Sequence, residues 1–394
     1  MTDTILVLNT GSSSVKFALY DADSLDMRVR GCIDDAGAVA TLSVEGRDAD
    51  VLRAYDDLQT GGHAVQITWL LNAIQAQLPQ LKLVGAGHRV VHGGQNHAAP
   101  VLITDAVVRD LESLVPLAPA HQPHNLAGIA AVAKAWPDLP QIACFDTAFH
   151  RTQPRLARLF PLPRALSDEG VERYGFHGLS YQHVAETLPA LAGAKAEGRV
   201  IVAHLGNGAS LCAMKERKSI ATTMGMTALD GLMMGTRSGA IDPGLILHLI
   251  EQRGMSPAQV SDMLGRKSGL LGVSGISGDV RTLEASDDPR AAEALELFAY
   301  RAVRECGSLI AALGGLDMLV FTGGIGEHSA RMRRQIGAGL AWAGIELDDS
   351  ANNSHTATIS SASSPVSALV IAANEESPIA RAVRAMVLAG TAAS

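Results

Sequence analysis

Ile5-Leu6-Val7-Leu8-Asn9-Thr10-Gly11-Ser12-Ser13-Ser14-Val15-Lys16-Phe17-Ala18-Leu19-Tyr20 is an apolar run that stops at Asn9, crosses a Gly/Ser turn and becomes apolar again. Two strands joined by a tight hairpin account for that pattern. Glycine lets the backbone approach a ligand closely, N–H groups and serine hydroxyls donate to oxygens, and Lys16 adds a point charge. The turn therefore has what a phosphate needs, although the same residues also make an ordinary turn. About 195 residues later the organisation recurs in Arg199-Val200-Ile201-Val202-Ala203-His204-Leu205-Gly206-Asn207-Gly208-Ala209-Ser210-Leu211-Cys212-Ala213-Met214. The repetition predicts two structurally related halves, each presenting one phosphate hairpin.

The chain of 394 residues exceeds what one hydrophobic core usually serves, so two domains are expected. A composition of 47% hydrophobic and 18% charged residues with 39 glycines fits an α/β protein with many tight strand-to-helix turns. The formal net charge of −8 argues against nucleic acid or an anionic membrane as the main partner, but leaves room for a local basic pocket. No run approaches the apolar length of a membrane span, and no basic-then-apolar leader opens the chain, so the expected location is the cytoplasm. Cys32, Cys144, Cys212 and Cys306 lie far apart in apolar surroundings without metal-type spacing and read as buried reduced thiols.

Residues 22–66 are weakly patterned, and Thr68–Leu78 has helical spacing. Leu83–Gly94 reads as a short strand carrying Arg89, which either faces water at an edge or ligates an anion at the end of a core strand. A short helix is expected at Asp110–Leu114, and a proline-broken turn at Leu117–Asn125 leads to a helix over Leu126–Trp136. Gln141–His150 reads as a buried strand ending in Asp146 and His150. In open α/β sheets ligands sit beyond the carboxyl ends of strands, so Asp146 is a site candidate, with a turn cap as the alternative.

The proline-rich stretch Arg155–Arg173 marks the change of domain, and Tyr174–Ser180 opens a helix through Leu188. Thr223–Gly239 is a loop with Arg237 among small residues and methionines packed beneath it. Helices over Pro243–Gln252 and Pro257–Leu264, a Gly/Ser-rich loop at Ser268–Arg281 and a long helix at Pro289–Leu313 follow. Asp317–Ser329 is strand, glycine turn and helix start, which aims backbone N–H groups at a ligand but lacks the Gly-Lys-Ser/Thr of a Walker A loop. A strand at Val366–Ala372 precedes Asn374-Glu375-Glu376-Ser377-Pro378, where Ser377 is the expected N-cap and Pro378 the first helical residue. The two glutamates suit helix-end electrostatics or a magnesium ion.

Taken in order, Asn9–Lys16, Gly87–Gly94, Phe145–His150, Tyr174–Gly178, His204–Gly208, Met234–Gly239, Leu270–Arg281, Gly323–Glu327 and Asn374–Glu376 resemble the motifs of acetate kinases. They run from the first ten residues to the last twenty, so the resemblance covers the whole chain. It implies an ATP-dependent kinase that makes acetyl phosphate and ADP from acetate, reversibly, by direct in-line transfer, with magnesium, or manganese in its place. The implied fold is that of the acetate and sugar kinase, Hsp70 and actin superfamily: two duplicated ribonuclease H-like (actin-like ATPase) α/β domains around a central cleft. Residues 1–149 plus 376–394 would form the N-terminal domain, and 150–375 the C-terminal domain for nucleotide binding and homodimer formation.

The resemblance also implies roles. A carboxylate acceptor and a transferring phosphoryl group are both negative, so such a site neutralises charge rather than creating a strong nucleophile. Arg89 and Arg237 suit the carboxylate and phosphoryl oxygens, and His177, assisted by His121, donates to the same oxygens. The family gives the residue matching Asp146 an acid/base role. A carboxylate substrate has no proton to remove, however, so Asp146 is expected to orient Arg89 or a metal-bound water. Asn9 and Glu375 match the magnesium positions, and Lys16 a nucleotide-phosphate contact. His204, Leu205, Gly206, Asn207 and Gly208, then Asp279, Val280 and Arg281, then Gly323, Gly324, Ile325, Gly326 and Glu327 match the nucleotide loops, with His204 in a supporting role.

Val91 and Phe176 match acyl-pocket walls, whereas Ala120 and Ala228 stand where the family often has leucine and proline. That enlarges the pocket by about one or two methylenes, each worth roughly 0.8 kcal/mol when buried, and raises propionate as a substrate. A non-catalytic ATP-driven binding module of the same fold is the alternative from another class. It would not need Arg89, Arg237, His177 and Asp146 together.

Overall fold

The computed structural model describes residues 1–11, 14–34, 40–55, 58 and 61–391. Ser12 and Ser13, in the first hairpin turn, lie outside the described residues. The chain divides into two compact units, Met1–Phe149 with Asn374–Ser394, and His150–Ala373.

The first unit is built on seven strands: β1 (Thr2–Thr10), β2 (Ser14–Asp21), β3 (Met27–Asp34), β4 (Thr41–Gly46), β5 (Leu81–Val90), β6 (Val101–Leu102) and β7 (Gln141–Phe145). Their order is β4-β3-β2-β1-β5-β7-β6. The hairpin read from the opening stretch is present: β1 and β2 pair antiparallel with Asn9 opposite Lys16, and Gly11 N–H closes on the Ser14 carbonyl at 2.9 Å. β5 and β7 then add in parallel.

Helices over His63–Gln77 and Gln122–Ala135 supply Ile67, Leu70 and Val132 to a core that includes Leu6, Leu8 and Phe17. A terminal helix, Glu376–Thr391, packs on β5 where Gly85 and Gly87 leave room. A side chain at Gly85 would meet Val383 at 2.7 Å, and one at Gly87 would run into Ile379. These two strand glycines mark a close approach, while Ala86 between them faces the other core, as the two-residue period of a strand requires.

The second unit contains β8 (Arg199–Leu205), β9 (Ala209–Lys215), β10 (Lys218–Thr222), β11 (Met318–Thr322) and β12 (Ser367–Val370), in the order β10-β9-β8-β11-β12. Three antiparallel strands are followed by two parallel ones. The order and directions of β3-β2-β1-β5-β7 are thus repeated, which is the duplication read from the two hairpins. The long helix runs over Pro289–Leu313, with the Asp288 carboxylate accepting from Arg290 N–H and Gly314 at φ 71° ending it.

Several boundaries differ from expectation. The strand at Gln141 ends at Phe145, so Asp146 lies just beyond it and His150 sits in a short 3₁₀ turn, Ala148–Thr152. The short helix before His121 starts earlier, at Asp105, because Thr104 caps it. The expected loop at Ser268–Arg281 contains a short helix, Gly269–Ser274, since Gly269 at φ 63° turns sharply where a side chain would strike the Met234 carbonyl. The terminal helix begins at Glu376, not after Ser377: Asn374 Oδ1 accepts from Ser377 N–H at 2.9 Å, and Ser377 Oγ instead accepts from Arg381.

Candidate active site

In the first unit, Asn9 lies near the end of β1, Arg89 near the end of β5, and Asp146 just past β7, the end of a sheet where ligands gather. Arg89 donates through Nε to Asp146 Oδ1 at 3.0 Å, through Nη2 to Oδ2 at 2.5 Å, and through Nη1 to Asn9 Oδ1 at 3.0 Å. Glu375 Oε2 lies 3.5 Å from Arg89 Nε and accepts from Asn9 Nδ2 at 3.2 Å. Asp146 is fully buried and the Arg89 side chain is only 16% exposed, its guanidinium turned onto Asp146, which excludes the water-facing strand-edge reading of Arg89. Burial works against the arginine's charge, but Asp146 and Glu375 beside it raise its pKa, so the guanidinium is locked in the charged form.

Three residues far apart in sequence, Asn9, Asp146 and Glu375, thus fix one planar donor fork. Two carboxylates and an amide oxygen around a single guanidinium form an all-oxygen, net-negative set, which suits a hard cation that keeps most of its water. Among the described residues no three His, Cys, Asp or Glu side chains gather as a metal cage; Asn9 and Glu375 are the oxygen-bearing residues here that could hold a hydrated magnesium ion.

Glu376, the second glutamate, is mostly buried; burial and the neighbouring Glu375 raise its pKa, while Lys16 and Arg30 oppose them. Val91 N–H donates to Asn125 Oδ1 at 3.0 Å, which anchors the backbone at Val91. His121 immediately precedes the helix Gln122–Ala135, and Ala120 beside it is exposed.

In the second unit, the Gly206–Gly208 turn joins β8 to β9 and is closed by Gly206 N–H donating to the Gly208 carbonyl at 3.0 Å. Gly235 N–H donates to the Asn207 carbonyl at 3.1 Å, and a side chain at Gly235 would collide with Asn207 Oδ1. The Met234–Gly239 loop therefore rests directly on the hairpin turn. Arg237 in that loop donates through Nη1 to the Ala228 carbonyl at 3.1 Å, so position 228 holds the arginine by its backbone.

His177 occupies the left-handed region, φ 58° and ψ 22°, immediately before the helix Gly178–Ala192. For a residue that is not glycine this is strained by about 1–3 kcal/mol, and such strain clusters at functional positions. Its ring stacks on His204 with centroids 4.3 Å apart and 26° between planes. Each Nδ1 shares a hydrogen bond with a serine hydroxyl: His177 with Ser210 at 2.8 Å and His204 with Ser180 at 2.8 Å. A side chain at Gly208 would meet His177 Nε2 at 3.2 Å and Arg237 Nη1 at 3.9 Å, so both edges open over the glycine turn. Phe176 is buried, and its carbonyl accepts from His150 Nε2 at 2.9 Å.

The other nucleotide-loop candidates divide. Asp279 caps the helix Val280–Glu284 and also accepts from Arg281 Nη2 at 2.6 Å, a pair that leaves the Arg281 side chain 87% exposed. Its carboxyl lies below the ordinary range because Arg281 donates to it. Gly323 and Gly324 begin the helix Gly323–His328 directly after β11, without an intervening turn. Gly323 at φ 78° lies against the Leu205 carbonyl, which a side chain would approach to 2.8 Å. Glu327 faces inward instead: Oε1 accepts from Ala373 N–H at 3.0 Å. Sequence reading missed Arg333, which is fully buried and donates to the Gly326 carbonyl at 2.9 Å, the Glu327 carbonyl at 2.7 Å and both oxygens of Asn352.

The acetokinase family model matches residues 4–381. The chain is 52% identical over 392 residues to the acetate kinase of Rhodopseudomonas palustris (strain ATCC BAA-98 / CGA009), covering 97% of this chain and 98% of that one. It is 46% identical to the acetate kinase of Methylocella silvestris, covering 97% of each. Among solved structures it is similar to a propionate kinase from Francisella tularensis, with a TM-score of 0.90 and 37% identity over 97% of this chain and 99% of that one. It is similar to Porphyromonas gingivalis acetate kinase with a TM-score of 0.87 and 35% identity over 98% of this chain and all of that one.

Proposed function

Because the chain belongs to the acetokinase family, we propose that it transfers the γ-phosphoryl group of ATP to acetate through the residues described above, and that the reaction runs in both directions. The observation that carries this reading is the fixed guanidinium of Arg89, held in plane by Asp146 and Asn9. A planar fork of known orientation recognises a carboxylate or a phosphoryl group, and both reactants here are anions.

Acetate is already ionised at neutral pH, so deprotonation contributes nothing to its attack. Charge neutralisation and alignment carry the rate. Arg89 orients the acetate carboxylate and Asp146 orients Arg89. Arg237, held by the Ala228 carbonyl, and His177, through its Nε2 edge, stabilise the equatorial phosphoryl oxygens. Lys16 and the glycine turn at Gly206–Gly208 contact nucleotide phosphates, as does the N-terminus of the helix Gly323–His328. Magnesium at Asn9 and Glu375 would neutralise phosphate charge when bound. Val91, His121 and Phe176 line the acyl group.

No helix of the described residues is long and apolar enough to cross a membrane, in keeping with a cytoplasmic enzyme. The helix Pro243–Glu251 buries none of its residues and exposes Leu245 and Leu247, and Tyr300 and Trp342 are also exposed. These surfaces support a homodimer formed through the second unit.

The test is coupled ADP formation with magnesium and ATP, comparing kcat/KM for acetate, propionate and butyrate, with Arg89→Ala as control. The expected result is acetate first and a nearly inactive control. Propionate first would favour the second reading, for which the 0.90 TM-score to a propionate kinase is the observation. Phosphorylation of no acid would leave the nucleotide clamp.

A further inference from the structure

His177 sits at the end of a buried chain of side chains. Ser210 lies on β9 opposite His204 of β8 and is fully buried. Its hydroxyl reaches two partners, His177 Nδ1 at 2.8 Å and the Tyr181 hydroxyl at 2.5 Å. Tyr181, one turn along the helix that His177 precedes, is fully buried too. His150 meets the Tyr181 ring edge-on at 5.5 Å and 70°, and the same imidazole donates to the carbonyl of Phe176, the residue before His177. A side chain at Gly175 would run into the His150 ring at 2.6 Å. The strained His177 backbone is thus gripped from one side by His150, while its imidazole is gripped from the other by Ser210.

We propose that Ser210, anchored by the Tyr181 hydroxyl, is a positioning residue for phosphoryl transfer: it donates to Nδ1 of His177 and so leaves the proton on Nε2, the edge that opens over the Gly206–Gly208 turn. Direction follows from the order of donors. Tyr181 donates to Ser210 Oγ, Ser210 donates its hydroxyl hydrogen to His177 Nδ1 without transferring it, and His177, with Nδ1 as acceptor, has its one N–H on Nε2 to offer a phosphoryl oxygen. Burial raises the Tyr181 hydroxyl well above its ordinary pKa, which keeps the first donor protonated. A serine inside an otherwise apolar strand is hard to explain by packing alone, since valine or alanine would fill β9 without a buried hydroxyl. His204 repeats the device with Ser180, so the stacked partner has its own Nδ1 occupied and the two rings keep their stack.

The inference rests on the assignment of His177 to the phosphoryl oxygens, and the experiment separates the two. Full-length protein labelled with ¹⁵N-histidine is compared as wild type, Ser210→Ala, Ser210→Thr, Tyr181→Phe and His177→Gln, the last identifying the His177 signals. The wild type is expected to show the Nε2–H tautomer at His177, and Ser210→Ala a mixture of tautomers. With that mixture kcat falls about tenfold, while KM for acetate and ATP stays within about twofold, as loss of one internal hydrogen bond predicts. Ser210→Thr restores both readouts, and Tyr181→Phe reproduces the Ser210→Ala loss in weaker form. Ser210→Ala added to His177→Gln lowers kcat no further. A slow His177→Gln variant beside a Ser210→Ala variant of normal tautomer and kcat would overturn the positioning role. A His177→Gln variant with wild-type kcat would instead remove the His177 assignment, and the relay's part in catalysis with it.

Discussion

Asp146→Asn is the most informative single change in this protein. The substitution keeps the shape of the side chain but turns one of two oxygens that accept from Arg89 into an NH₂ group, which then faces a guanidinium N–H. What is lost is one charge-assisted hydrogen bond, about 1.5–3 kcal/mol. At about 1.4 kcal/mol per factor of ten, kcat/KM for acetate should fall roughly 10- to 150-fold. Arg89 keeps its charge, because Glu375 remains 3.5 Å from Nε and Asn9 still accepts from Nη1. The assay is coupled ADP formation across pH 5.5 to 9 with wild type and variant side by side. A positioning role lowers the whole profile without changing its shape, whereas a general acid or base would remove one limb of it. Turnover within twofold of wild type, or a profile that loses a limb, would refute the argument that Asp146 acts through Arg89.

Four further outcomes can be checked. Gly87→Val pushes a branched side chain into Ile379, so the denaturation midpoint should fall by an amount corresponding to about 1–3 kcal/mol, together with weaker magnesium activation as the helix behind Glu375 shifts; an unchanged midpoint would show that the helix yields freely. Burial holds His88 and His150 at about 4; the unfolded chain takes up these protons near pH 6.5 and the folded one does not, so stability should be full above pH 6.5 and fall as pH drops toward 4. The effect is about 2 kcal/mol per histidine between pH 7.5 and 5, read from urea midpoints, and a His88→Gln variant should show a shallower decline. Arg333→Met leaves buried carbonyls of Gly326, Glu327 and Asn352 without their donor, which should lower stability by roughly 3–5 kcal/mol and raise KM for ATP more than KM for acetate. Ala228→Pro keeps the carbonyl that holds Arg237, so kcat for acetate should stay within about twofold while the propionate-to-acetate ratio of kcat/KM falls, by up to about fourfold for a lost methylene site.

The parts of this protein that could be read from sequence are those where local pattern and global arrangement agree. Strand, glycine turn and strand at Ile5–Tyr20 and Arg199–Met214 gave both hairpins and the duplication, because alternating burial and turn chemistry are written within a few residues. Polar residues interrupting apolar runs at Arg89 and Asp146 marked strand ends, but their pairing across 57 positions depends on β5 and β7 lying side by side. Arg333 was invisible for a physical reason: Ala330–Gly339 has the polar look of a solvated helix, and its middle arginine is buried only because it satisfies carbonyls from distant segments. Ser210 did leave a signal, a hydroxyl inside an apolar strand, yet nothing local connects it to His177, 33 positions earlier. The cap at Asn374 was missed because Ser377 and Pro378 also make a plausible start; the distinction lies in which oxygen reaches the Ser377 N–H.

The terminal helix has a consequence for how the protein is made. Its first unit is completed by Asn374–Ser394, which is synthesised only after the whole of the second unit, continuous from His150 to Ala373. Domains ordinarily finish in the order of synthesis. Here the amino-terminal unit waits: while translation continues, the notch at Gly85 and Gly87 stays uncovered and Arg89 lacks Glu375. The second unit can be finished first, and a nascent chain that stops short of the helix Glu376–Thr391 leaves the earliest-made sheet without its cover.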